Sequence, residues 1–232
     1  MKYENIVKGT FIERPNRFVA YVDIDGKREK CHVKNTGRCK ELLIEGAEVI
    51  LQRFDSPTRS TGLDLISVYK GDVLINIDSQ APNKVVAESI REMSYFKDIR
   101  ALKNEFTYGD SRIDIYAESK TKKILVEVKG VTLEIDGIGL FPDAPTERGL
   151  KHIKELEHSL SDGYDPHIIF LIQMEGVEYF TPNYSMHSEF ALELEKASEL
   201  GVNVIAWDCI VKEDSITLGK EIEVRLDHSY SI

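Results

Sequence analysis

Asp114, Glu127 and Lys129 are the residues of this 232-residue chain whose types and spacing could do chemistry. The segment Ser111-Arg112-Ile113-Asp114 is followed, with twelve residues between Asp114 and Glu127, by Val126-Glu127-Val128-Lys129-Gly130. Side chains alternate along a strand, so Glu127 and Lys129 should emerge on one face while Val126 and Val128 enter the core. A hairpin over residues 119–123 would lay Asp114 on the neighbouring strand, where its carboxylate and that of Glu127 could share a cation. Two hard carboxylate oxygens, a backbone carbonyl such as that of Val128, and water suit Mg²⁺ or Mn²⁺. Such an ion acidifies a bound water for attack on phosphorus. Lys129 would position that water or neutralise charge on the phosphate.

An E-x-K on a strand is also a common surface charge pair. The context favours a metal site: an Asp in an apolar strand immediately before it, and a helix carrying a Glu ahead of both. Helix, strand with Asp, strand with E-x-K, then helix is the order of the PD-(D/E)xK nucleases. Glu88 is the candidate third metal ligand beside Asp114 and Glu127. It lies off the Val86, Ile90, Met93 stripe, so the other reading is a solvated helix residue.

The elements that must position these residues divide near residue 80. Before it come short β-segments (9–13, 17–24, 28–33, 47–54, 63–68, 73–77) separated by regular turns, the pattern of a small OB-fold-like barrel, with one short helical piece around 38–43. After it, Pro82-Asn83 opens a helix, and strands over 100–107, 112–117 and 124–133 follow. Then come a loop from Asp136 to about 144, a helix carrying Leu150, Ile153 and Leu156, a strand 167–172, a helix 189–200 and a strand 202–207. The expected fold is therefore α/β with a β N-terminal part: an OB-like barrel over 1–80 and a restriction-endonuclease-like α/β domain with a mixed sheet over 81–232.

A formal charge of −10 speaks at first against a polyanionic partner. Its distribution reverses that: residues 1–40 carry +5 and residues 175–232 carry −8, a basic barrel end and an acidic tail. No apolar run reaches the roughly 20 residues a membrane-spanning helix needs, and the start lacks the core of a signal peptide, so a cytoplasmic location and no membrane partner are expected. Cys31, Cys39 and Cys209 form no C-x-x-C pair and read as reduced, structural thiols.

Asn35-Thr36-Gly37-Arg38 with Glu41-Leu42-Leu43, Pro82-Asn83, Ser111-Arg112-Ile113-Asp114, Glu127-Val128-Lys129, and Phe141-Pro142-Asp143-Ala144-Pro145-Thr146 with Arg148-Gly149 resemble the sugar fermentation stimulation protein A family. Lys34 and Gly130 stand where Pro and Asn are more usual. The resemblance covers nearly the whole chain. It implies an OB-like domain joined to a nuclease-like domain, DNA binding with little sequence specificity, and regulation of maltose and other sugar metabolism. A demonstrated nuclease reaction is not part of what it implies. Two functions follow: DNA binding with a metal-dependent phosphodiesterase site, or a DNA-binding regulator whose nuclease-like domain is catalytically idle.

For the nucleic acid, single-stranded or duplex, the barrel turns offer Arg14, Asn16, Arg17, Asn35, Thr36 and Arg38. Phe18 and Tyr21 are candidate stacking residues, Phe18 reading otherwise as core. Arg112 beside Asp114, and Arg148, Lys151 and His152 on the next helix, are candidate contacts near the metal. Arg148, His152 and Glu155 share a helix face that could point at it or be an ordinary polar face. The segment 136–145 could close over substrate. A helix-turn-helix over 189–211 is disfavoured by its β-branched residues and acidity. A homodimer is left open.

Overall fold

A computed structural model describes residues 1–35, 37–55 and 59–230. Thr36 lies outside the described residues. The first half is built from β1 (Ile6–Asn16), β2 (Val19–Ile24), β3 (Lys27–Val33), β4 (Glu48–Arg53), β5 (Leu63–Lys70) and β6 (Val73–Asn76). The order β3-β2-β1-β4-β5-β6 closes on itself because β5 also pairs in parallel with β3, His32 opposite Asp64 and Val33 opposite Leu65. The result is a five-stranded OB-like barrel with β6 appended. Phe11, Val22, Cys31, Val33, Leu51, Leu65 and Val68 fill it. The segment around 38–43 is a single turn rather than a helix, held by Leu43 N–H donating to the Cys39 carbonyl at 2.9 Å.

Next come α1 (Ala81–Ser89), β7 (Ala101–Tyr108), β8 (Ser111–Glu118), β9 (Lys123–Val131), β10 (Leu133–Ile135), β11 (Ile138–Phe141), α2 (Glu147–Ser161), β12 (Tyr164–Ile172), β13 (Tyr179–Pro182), α3 (Ser188–Leu200), β14 (Asn203–Lys212) and β15 (Ser215–Val224). They form a nine-stranded mixed sheet in the order β10-β11-β13-β15-β14-β12-β9-β8-β7. Its centre, β9-β12-β14, is parallel. Helices cover both faces there, which is why Ile168 to Ile172 is apolar without alternation and wholly buried. Helices α2 and α3 lie over Leu125, Val131 and Phe170. The other face, Val126, Val128 and Ile169, meets α1 and two outward-pointing barrel residues, Ile50 and Ile66. The barrel is thus part of the second core. A polar seam locks the same junction: Gln173 Nε2 donates to Asn76 Oδ1 at 2.9 Å and to the Asp78 carbonyl at 3.2 Å, and Lys34 Nζ donates to Asp78 Oδ2 at 3.0 Å.

Several elements differ from the sequence reading. The segment expected as a loop from Asp136 is half hairpin, β10 and β11 joined at Asp136-Gly137 with φ of 50° and 82°. Strands β13 and β15 were not expected. Of the two readings of Phe18, stacking residue or core, the structure excludes core: the side chain is 52% exposed. Burial pushes the Cys31 and Cys39 thiols up to about 12, and that of Cys209 higher still, so all three are inert. Among the described residues no helix is long and apolar enough to cross a membrane.

Candidate active site

Asp114 and Glu127 meet where a β-ladder opens. Strands β8 and β9 pair antiparallel from Glu118–Lys123 to Ile115–Val126, and there the regular pairing ends. At the next position the Asp114 side chain takes over: its Oδ2 accepts the Val128 N–H at 2.8 Å, while Oδ1 accepts from Asn83 Nδ2, in the first turn of α1, at 2.7 Å. Burial, and then the neighbouring Glu127 charge, push the Asp114 carboxyl up to about 6.

Glu127 sits on the α2 side of the central strand, opposite Ile168 of β12, and is 2% exposed. Lys129, two residues on and so on the same face, donates to Glu127 Oε1 at 2.6 Å. His152, buried on α2, places Nδ1 against the same oxygen. Arg148 Nε donates to His152 Nε2 at 3.4 Å, so Nε2 carries the lone pair and Nδ1 the proton given to Glu127. Burial raises the Glu127 carboxyl, but Lys129 and His152 more than offset it and hold it below its usual value. Its second oxygen, Oε2, is buried and has no hydrogen-bond partner among the described residues. A buried anionic oxygen left bare beside a second carboxylate is what a divalent cation would complete.

The remaining residues expected at the site fall in different places. Glu88 is 57% exposed and bonds the Met1 ammonium at 2.8 Å, so the structure does not bring it to Asp114 and Glu127. Asn83, which entered the sequence reading only as part of a motif, is the α1 residue that reaches Asp114. Arg14 spends its guanidinium on backbone carbonyls, those of Gly37 at 2.8 Å, Arg38 at 2.9 Å, Arg17 at 2.7 Å and Asn35 at 2.6 Å, which staples two turns together. Asn16 and Asn35 use Oδ1 on the N–H groups of Phe18 and Gly37. Arg17 and Arg38 are exposed. Arg112 pairs with Glu105 on the surface, and Lys151 lies 3.5 Å from Glu155. His152 is buried against Glu127 rather than presented to solvent. Glu155 accepts from Ser111 Oγ, which ties α2 to the start of β8.

A cleft of about 1040 Å³ runs between the barrel turns and the second sheet. Arg17, Asn35, Arg38 and Lys40 line one wall, Pro142 to Thr146 another, and Asn83 with Val128 the floor beside Asp114. Gly37 packs against Asp143 here: a Cβ would lie 2.5 Å from Asp143 Oδ2, so that side chain would have to move to admit one. The two long motifs of the sequence therefore face each other across the cleft.

Barrel, mixed sheet and carboxylate pair define an OB-like domain joined to a restriction-endonuclease-like α/β domain. Residues 12–77 match the family model described as the SfsA N-terminal OB domain, and residues 80–215 the one described as the sugar fermentation stimulation protein RE domain. The chain belongs to the sugar fermentation stimulation protein family. The homolog of Ruminiclostridium cellulolyticum is 58% identical over 97% of this chain and 100% of its own, and that of Clostridium beijerinckii 56% over the same shares. Pyrococcus furiosus SfsA, in a structure described as a complex with Ca²⁺, matches with a TM-score of 0.88 and 28% identity over 97% of this chain and 98% of that one.

Proposed function

We propose that the chain is a cytoplasmic DNA-binding protein of little sequence specificity with a divalent-metal phosphodiesterase site, residues 1–80 holding nucleic acid and 81–232 carrying the chemistry. The observation that carries this is the unpartnered, buried Oε2 of Glu127 next to Asp114. Asp114 and Glu127 would hold Mg²⁺ or Mn²⁺, and the Ca²⁺ of the Pyrococcus structure supports a site for a hard cation in this fold. When bound, the ion supplies an acidified water and neutralises charge on phosphorus. Asn83 and the Val128 N–H keep both Asp114 oxygens in place. His152 and Lys129 fix Glu127 through Oε1 and leave Oε2 free. Lys129, at the rim of the pair, orients the attacking water or steadies the phosphate.

The test is to incubate the protein and its Lys129→Ala variant with single-stranded, duplex and branched DNA and with RNA, in Mg²⁺ or Mn²⁺. Cleavage that the variant loses is expected. No cleavage, or equal cleavage by both, would favour the second reading, a non-catalytic DNA-binding regulator of sugar metabolism genes, of which the relatives' shared name supports only the link to sugar fermentation.

A further inference from the structure

Resting on that reading, we infer that Arg148 holds the reacting phosphate, its guanidinium tethered beside the carboxylate pair by His152. The other cations around the site are already engaged. Lys129 is mostly buried, and its Nζ lies 2.6 Å from Glu127 Oε1 and 3.3 Å from His152 Nδ1. Arg112 pairs with Glu105, and Lys151 lies against Glu155. Arg148 is exposed, and among the described residues it pairs with no carboxylate and has one acceptor, His152 Nε2, at 3.4 Å from its Nε. A guanidinium carries five N–H donors in a planar fork, so the bond to His152 anchors Nε and leaves the four donors of the two Nη groups for a ligand.

Placement supports the same role. Arg148 and His152 are one helical turn apart on α2, and a single imidazole ring separates the guanidinium from Glu127: Nε2 accepts from Arg148 while Nδ1 meets Oε1. Arg148 also stands at the wrong end of its helix for a cation. It lies in the first turn of α2, where the helix dipole opposes positive charge, so its charge works against the fold unless an anion meets it. Phosphodiester hydrolysis needs such a group. When hydroxide adds to phosphorus, its negative charge passes onto the non-bridging oxygens and then leaves with the departing sugar oxygen. The fork of an arginine matches two of those oxygens at once, which the point charge of an ammonium does not. With Arg148 on the phosphate, Lys129, held between Glu127 and His152, is left for the attacking water.

The test compares the native full chain with Arg148→Ala and Arg148→Lys. Calorimetry in saturating Ca²⁺ measures binding of a thymidine dinucleotide, which holds a single phosphodiester, and of its uncharged methylphosphonate analogue. Arg148→Ala should weaken the dinucleotide about tenfold, the size of one charge-assisted contact, and leave the analogue unchanged. Arg148→Lys keeps the charge but gives up the fork and the bond to His152, and should lose only about threefold. The affinity for Ca²⁺ alone should be equal in all three proteins, and thermal unfolding in EDTA should show Arg148→Ala no less stable than the native chain. Unchanged dinucleotide binding, equal losses on the charged and uncharged ligands, or equal losses in the two variants would overturn the inference. So would weaker Ca²⁺ binding or lower stability in Arg148→Ala, since the arginine would then be a strut for His152 rather than a phosphate contact. Each of these leaves the cation site standing, whereas a native chain that binds no Ca²⁺ removes that site and the inference with it.

Discussion

Asp114→Asn should make the metal-free protein more stable, and the size of the gain follows from the site. Burial and the facing Glu127 hold the Asp114 carboxyl at about 6 instead of 3.8. At pH 7 that difference works against the folded state by about 3 kcal/mol, taken as an upper value. Asparagine keeps one acceptor for Val128 N–H and loses about 1 kcal/mol of hydrogen bonding with Asn83. The net gain is about 1 to 2 kcal/mol, or roughly 5 °C in Tm for a chain of this size. The sign with pH is fixed: a carboxyl raised in the folded state contributes its full share below about pH 4 and loses it as pH rises through 6. The variant's advantage should therefore be absent near pH 4, open between 5 and 6, and be complete at 7. Thermal unfolding in EDTA across that range is the assay. Addition of about 10 mM Mg²⁺ should then raise the native protein by about 1.4 kcal/mol for a Kd of about 1 mM, and leave the variant where it was. An asparagine variant that is less stable than the native chain at pH 7 in EDTA, or one with the same response to Mg²⁺, would refute the description of the carboxylate pair.

Three further outcomes can be checked directly. His152→Ala should weaken Mn²⁺ binding by about 10- to 100-fold in calorimetry, because Glu127 loses the partner that turns Oε2 toward the cation; unchanged affinity would remove that role. Arg14→Ala should cost about 2 to 3 kcal/mol in urea unfolding, with Arg14→Lys restoring only part, and should leave the salt slope of DNA binding unaltered; weaker DNA binding at full stability would make Arg14 a phosphate contact after all. Gly37→Ala should cost no more than about 1 kcal/mol in urea unfolding, because its methyl meets only the side-chain tips of Asp143 and Asn35, which can move aside at the loss of about one hydrogen bond; a loss of several kcal/mol would show that those tips are fixed.

Much of this was legible in the residues. Alternation alone put Glu127 and Lys129 on one face and Val126 and Val128 on the other, and the short spacing to Asp114 made adjacent strands the natural arrangement. The barrel was readable from its turns, and Asp136-Gly137 between Leu133-Glu134-Ile135 and Ile138-Gly139-Leu140 carried a hairpin signal that the surrounding glycines and prolines obscured. Strand β15 was hidden because Gly219, Lys220 and Glu221 interrupt its pattern; the glycine is there because Asp208 turns its carboxylate into the space a Cβ would need. What periodicity cannot show is which donor a side chain finds after folding. Arg14 and His152 look like surface cations along the chain, and only the assembled turns and the packed helix α2 give them carbonyls and a carboxylate instead.

The arrangement of charge at the centre of the sheet also weighs between the two functions. Glu127 and Lys129 occupy a face otherwise filled by Leu125, Val131 and Phe170, and Glu127 keeps a buried oxygen that accepts from no donor among the described residues. Replacing a buried ion pair by apolar residues is often neutral or stabilising, so a domain that only had to hold DNA would lose nothing by filling this position with leucine. Asp114 adds to the cost, since its own charge is held back by burial and by Glu127. Three neighbours, Asn83, His152 and Lys129, are then needed to keep the two carboxylates apart and aimed. On the proposed reading, a pair maintained against the chain's own stability would be arranged around a cation, and the acidic surplus that argues against nucleic acid in the sum of the charges would, at this point of the fold, be the means of recruiting one.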